Sequence, residues 1–138
     1  MPRFFTLTLL LLAVAASGSL GATSPAFTFG RTGGNIRPFA VTIASGGRVS
    51  GTGAVQLVSP APKLSAAVVS GLRKLARAEG FYAAPVSARC PNVLPDVAAL
   101  YVTIRSAGTT RTVSVKGGCN SSFGELFETL LAVSGATA

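Results

Sequence analysis

The sequence predicts an α+β fold: a small antiparallel sheet of about four to five strands, two helices packed on one face, in the order β-β-(β)-α-β-β-α. Three observations predict it. Apolar residues alternate with polar ones in short runs near both ends of the chain. Apolar residues recur at helical spacing over residues 64–79 and again over 123–131. Glycine- and proline-rich breaks separate these runs. Two amphipathic helices laid on one face of a sheet bury both apolar sides at once.

Taken in order, Pro25 to Arg31 reads as a strand with Phe27 and Phe29 on its buried face. Thr32-Gly33-Gly34-Asn35 reads as a turn, because Gly and Asn tolerate positive φ. Pro38 to Ala44 alternates again, with Phe39, Val41 and Ile43 on one side. Ser45-Gly46-Gly47 turns the chain back into a strand around Val49, which Gly51 and Gly53 weaken. Ser59-Pro60-Ala61-Pro62 is a break. Leu64, Val68, Leu72, Leu75 and Ala76 then define an amphipathic helix from Leu64 to Glu79, with Gly80 in the left-handed position past its end. Arg73, Lys74 and Arg77 fall in its last turns, where cations favour the negative end of the helix.

Tyr82 to Asp96 holds Pro85, Pro91 and Pro95 and reads as a loop. Ala98 to Arg105 places Leu100, Val102 and Ile104 inside. Thr110 to Lys116 returns after Ser106-Ala107-Gly108-Thr109, with Val113 and Val115 inside, and completes a hairpin. Ser122-Phe123-Gly124-Glu125 has the form of a capping box. Phe123, Leu126, Phe127, Leu130 and Leu131 follow on one helical face. The expected domain spans 23–133, and residues 134–138 read as a fraying tail.

The N-terminus carries a different signal. Met1-Pro2-Arg3 is basic, Phe4 to Ala16 is uncharged and apolar, and Ala15 to Ser19 are small. This order predicts a signal peptide over residues 1–22, cleaved after Ala16, Gly21 or Ala22. The apolar run is shorter than the roughly 20 residues a membrane span requires. The expected destination is secretion or the cell envelope, with no transmembrane span after processing. Two cysteines, Cys90 and Cys119, flank the predicted hairpin, whose own geometry brings its ends together. In an oxidising compartment such a pair reads as one disulfide. Closing about 30 residues stabilises a fold by roughly 3–4 kcal/mol in the chain-entropy account.

The chain has 12 basic and four acidic side chains, no His, and a net charge of +8. Without His, the Ser-His-Asp and Cys-His machineries are absent. With no His, two Cys alone cannot supply the four ligands of a zinc site, so neither a metal nor a cofactor is expected. The four carboxylates Glu79, Asp96, Glu125 and Glu128 each have a structural explanation, which leaves catalysis by isolated carboxylates as the weakest reading. The charge admits an anionic envelope surface as a partner. Nucleic acid is disfavoured, because no aromatic residues interleave with the cluster Arg73, Lys74 and Arg77. Arg31, Arg37, Arg48, Arg89, Arg105 and Arg111 are scattered and read as solvated. Asn120-Ser121-Ser122 matches a glycosylation acceptor.

The segment Phe29-Gly30-Arg31-Thr32-Gly33-Gly34 precedes a strand. A helix and Gly80-Phe81 follow, then Pro95-Asp96 leads into the strand pair, and a Leu-rich helix closes the chain. This layout resembles the emfourin-type inhibitors of thermolysin-like metalloproteases and related small bacterial domains of unknown function. The signal peptide and the cysteine pair depart from that pattern. The resemblance implies protease inhibition, with Arg31, Gly33, Gly34, Asn35 and Arg37 as the candidate contact turn. The expectation is therefore an exported, non-enzymatic binding domain, a protease inhibitor by resemblance. The alternative is a basic protein that binds anions or the envelope surface.

Intact-mass analysis of the exported protein is expected to show loss of 16 to 22 N-terminal residues. Both cysteines should be alkylated only after reduction. A chain that keeps Met1 to Ala22 and alkylates without reductant would overturn both readings.

Overall fold

The alternating segments become strands, and their register decides where every other element sits. The computed structural model describes residues 23–138; the signal peptide read over 1–22 lies outside the described residues. The described chain runs β1 (Pro25–Thr32), β2 (Phe39–Ala44), β3 (Val49–Gly53), β4 (Gln56–Leu57), α1 (Ala66–Ala78), β5 (Ser87–Arg89), β6 (Ala99–Ser106), β7 (Thr109–Lys116), α2 (Ser121–Ser134) and β8 (Ala136–Thr137). Six strands form one sheet in the order β3-β2-β1-β6-β7-β5, and β4 pairs with β8 in a separate ribbon.

Strand β1 is central. Phe27 lies between Ile43 of β2 and Ile104 of β6, and Phe29 lies between Val41 and Val102. All six side chains are at most 1 % exposed. Residues two apart on a strand share a face, so these six form one apolar floor. Both helices sit on it. The Phe127 ring of α2 meets Phe29 edge-on at 5.8 Å and 86°. Arg73 of α1 lies over the Phe27 ring at 5.5 Å and donates to the Arg105 carbonyl at 2.7 Å. Among the described residues, the opposite face carries no helix. Ser50, Thr42, Thr28, Thr103 and Thr112 are successive cross-strand partners there and form a row of hydroxyls.

The α+β class and the two helices on one face agree with the sequence reading, and the details correct it. The sheet has six strands, not four to five, and it is mixed, because β5 pairs parallel with β7. A three-residue strand between prolines offers no alternation to read; its pairing depends on β7 already being in place. Helix α1 begins after Ser65, whose hydroxyl accepts from the Val68 amide. Leu64 therefore precedes the helix, and the buried face is Val69, Leu72 and Ala76, leaving Val68 exposed. Helix α2 is capped by Asn120, which accepts from the Phe123 amide at 2.9 Å. The expected capping box at Ser122 is thus displaced by two residues, and Glu125 is exposed. The segment expected to fray pairs through Ala136 and Thr137 with Leu57 and Gln56.

The hairpin of β6 and β7 closes through Ala107 and Gly108, both at positive φ, the geometry of a tight two-residue turn. Cys90 and Cys119 form a disulfide with a Cα separation of 5.6 Å. That bond suits an extracytoplasmic protein. No helix among the described residues is long and apolar enough to cross a membrane.

Removing the Phe29 ring opens the floor beneath α2. Phe29→Ala is expected to cost about 3–5 kcal/mol of unfolding free energy, readable in urea titration with β-sheet and near-UV probes. A loss below about 1 kcal/mol would contradict the central placement of this ring.

Candidate binding end

One end of the sheet is built from the β1–β2 connection, residues 33–38, and from the loop 91–98 that leads into β6. The two segments are stitched together. The Asn35 amide donates to the Asp96 carbonyl at 2.9 Å, and its side-chain amide reaches the Asp96 carboxylate at 3.2 Å. Gly34 packs so closely that a Cβ there would lie 2.5 Å from both the Asp96 carbonyl oxygen and the Ala98 nitrogen, and its φ is +71°. Only glycine satisfies both demands.

The 91–98 loop is held on its other flank by cations. Arg89 donates to the Val93 carbonyl at 2.8 Å, and the Lys116 ammonium donates to the Pro95 carbonyl. The disulfide fixes its start at Cys90, and the Cys90 amide donates to the Lys116 carbonyl at 2.9 Å. Gly117 makes room for this junction. Its φ is +100°, and a Cβ would lie 2.6 Å from Val93 Cγ2 and 2.8 Å from Cys90 Cβ.

On this braced frame, Leu94 is 66 % exposed, Ile36 51 % and Val97 36 %. Asn35 joins Asp96, so Ile36 and Val97 come from adjoining segments, and Leu94 is one turn away, its carbonyl accepting from the Val97 amide at 3.3 Å. Of the turn residues predicted from sequence, Gly33, Gly34, Asn35 and Arg37 lie on this end, with Arg37 exposed at its rim. Arg31 does a different job. Its Nε donates to the Arg37 carbonyl at 2.9 Å and its guanidinium lies 5.1 Å over the Phe39 ring, so it shapes the turn from behind. The sequence reading missed Leu94 and Val97. The available signal was a lone Leu and a lone Val in a Pro-rich loop with no periodic partner to bury them.

The scattered arginines are less free than expected. Arg111 donates to the carbonyls of Phe81 and Ala84 and holds the turn after α1 against β7. The carboxylates are spread over three elements: Glu79 caps α1, Asp96 braces the end loop, and Glu125 and Glu128 are exposed on α2. Among the described residues, no three metal-ligating side chains come together. Burial pushes the Tyr101 phenol above its ordinary value, so it stays a neutral hydroxyl at physiological pH. Between the end of α1 and α2, the concavity lined by Phe81, Phe123 and Leu126 holds about 20 Å³, room for about one water.

Comparison of the chain with protein-family models, with curated proteins and with solved structures finds no match in any of the three.

Gly34→Ala forces a Cβ against two backbone atoms at positive φ. It is expected to cost about 1–3 kcal/mol and to speed hydrogen exchange at the Asn35 amide, measured by NMR. Unchanged exchange at Asn35 would show that the two segments are not coupled through this contact.

Proposed function

We propose that this protein is an exported, non-enzymatic binding domain that docks another protein through the end formed by residues 33–38 and 91–97, acting as a protease inhibitor of the kind its sequence resembles. The observation that carries this reading is the exposure of Leu94, Ile36 and Val97 on a backbone already fixed by a disulfide, by carbonyl-bound cations and by the Asn35–Asp96 stitch. Docking usually orders loops at an entropic cost, and a preformed loop avoids much of it. An apolar centre with a polar rim is the common anatomy of a protein interface. Here Arg37 and Asn35 supply the rim, and the surrounding positive charge favours a partner with an acidic face.

The test is inhibition of thermolysin by the purified protein. Wild type is expected to inhibit, and Leu94→Asp and Ile36→Asp are each expected to weaken inhibition about tenfold or more, because burying an unpaired carboxylate opposes docking. Both residues are exposed, so thermal unfolding should be unchanged. Arg37→Ala probes the rim without loosening the turn, whereas Arg31→Ala would also remove the brace on the Arg37 carbonyl. Absence of inhibition by wild type would remove the protease reading. Full inhibition by both aspartate variants would remove this end as the contact.

A further inference from the structure

Two cations of this chain are placed in a way that the fold itself does not use. Arg48 and Lys63 are direct partners across an antiparallel bridge beside β3. Like charges at opposed positions repel, and both residues are exposed. Elsewhere Arg31, Arg73, Arg89, Arg111 and Lys116 donate to backbone carbonyls. Among the described residues, Arg48 and Lys63 donate to no such carbonyl, yet their backbones are fixed. The Ala44 amide donates to the Arg48 carbonyl at 2.8 Å, and the Leu64 amide donates to the Gly47 carbonyl at 2.9 Å.

Both residues line a cleft of about 270 Å³ on the face of the sheet opposite the two helices, together with Thr42, Ser50, Thr23, Ala44 and Gly46. Thr42 and Ser50 are cross-strand partners, and Arg48 lies two residues before Ser50, on the same side of its strand. The lining thus combines two cations with three hydroxyl-bearing residues around the small Ala44 and Gly46, and contains no carboxylate among the described residues.

We propose that this cleft binds a phosphate-type oxyanion. Its two negative charges balance Arg48 and Lys63 and remove their mutual repulsion. The guanidinium offers a planar fork to two oxygens, the ammonium a point charge, and the Thr42 and Ser50 hydroxyls meet further oxygens. The cleft exceeds the roughly 30 Å³ of a single water several-fold, so the oxyanion can arrive attached to a carrier. The site lies on a different part of the molecule from the end that carries Leu94 and does not depend on the docking reading.

The probe is inorganic phosphate, titrated into the isotopically labelled protein against sodium chloride of matched ionic strength. Saturable shifts are expected at the amides of Arg48, Ser50 and Lys63, and not with chloride. Arg48→Gln and Lys63→Gln should each weaken phosphate binding about tenfold, the usual loss when a charged hydrogen-bond donor is removed. Neither variant should lower the melting temperature in phosphate-free buffer, since each relieves a repulsion. Vesicles of phosphatidylglycerol, with phosphatidylcholine as control, separate the sources. Vesicle binding that falls in the same variants assigns a lipid headgroup, and vesicle binding that is absent or unchanged assigns a soluble phosphate. Shifts reproduced by chloride, or wild-type phosphate affinity in the Arg48→Gln/Lys63→Gln double variant, would overturn the proposal.

Discussion

The burial of Phe27 and Phe29 on β1 is the constraint on which the other elements close. Each ring lies between a residue of β2 and a residue of β6, so this strand joins the two halves of the sheet. Each ring also receives a helix: Phe27 lies under Arg73 of α1, and Phe29 meets Phe127 of α2. A pair of aromatic rings two residues apart therefore sets the position of both hairpins and both helices. Fully burying side chains of this size is worth about 1.5–3 kcal/mol each, and the edge-on ring contact adds about 0.5–1.5 kcal/mol. The last strand segment benefits too, because β8 follows α2 directly and pairs with β4 only where α2 has been docked.

A second constraint comes from charge. With 12 cations and four carboxylates, most guanidinium and ammonium groups cannot find an acid. The chain uses carbonyl oxygens instead, and most of these belong to loops. Arg111 takes the turn after α1, Arg89 and Lys116 take the 91–98 loop, Arg31 takes the β1–β2 connection, and Arg73 takes the end of β6. The strands and helix that carry these cations are themselves well anchored, so the bonds of Arg31, Arg89, Arg111 and Lys116 each attach an irregular segment to a regular one, and that of Arg73 ties α1 to β6. Loop carbonyls without ladder partners still need donors, and cations supply them with charge-assisted bonds. This is why a loop containing Pro91 and Pro95 and little regular structure can expose Leu94 and yet have a fixed backbone.

What was legible in the sequence follows the range of the interactions. The hairpin of β6 and β7 was readable because alternation and a two-residue turn are local; Val102, Ile104, Val113 and Val115 are buried as their pattern requires. The apolar face of α2 was readable for the same reason. The pairing of β5 with β7 was not, since three residues carry no period and the partner strand begins 20 residues after β5 ends. The cap of α2 was misplaced because Asn120 and Ser122 both have oxygen acceptors near the helix start, and local pattern alone does not choose between them. At the candidate binding end, Gly33-Gly34-Asn35 marked the turn correctly as a place of positive φ, which Gly33 and Gly34 adopt. Its partner, the Asp96 segment, lies 61 residues away and left no trace in the sequence beyond an isolated acid after a proline.

The two faces of the sheet divide the labour that follows from this. The inner face is spent on the core, and its edges carry Arg31 and Arg111 back onto neighbouring loops. Among the described residues the outer face stays open, and its row Ser50, Thr42, Thr28, Thr103 and Thr112 runs across five strands. Hydroxyls in such a row satisfy one another, as Thr103 and Thr112 do at 2.8 Å, and also remain able to meet water or ligand. An open sheet face rich in Thr keeps β propensity high without adding apolar surface, which a domain with so few carboxylates needs if it is to stay dispersed by net charge rather than by surface ion pairs. The same positive charge makes any uncovered concavity on that face attractive to an anion. The cleft beside Arg48 and Lys63 is where that general attraction acquires geometry, because there the backbone, and not the side chains alone, holds the two cations opposite each other.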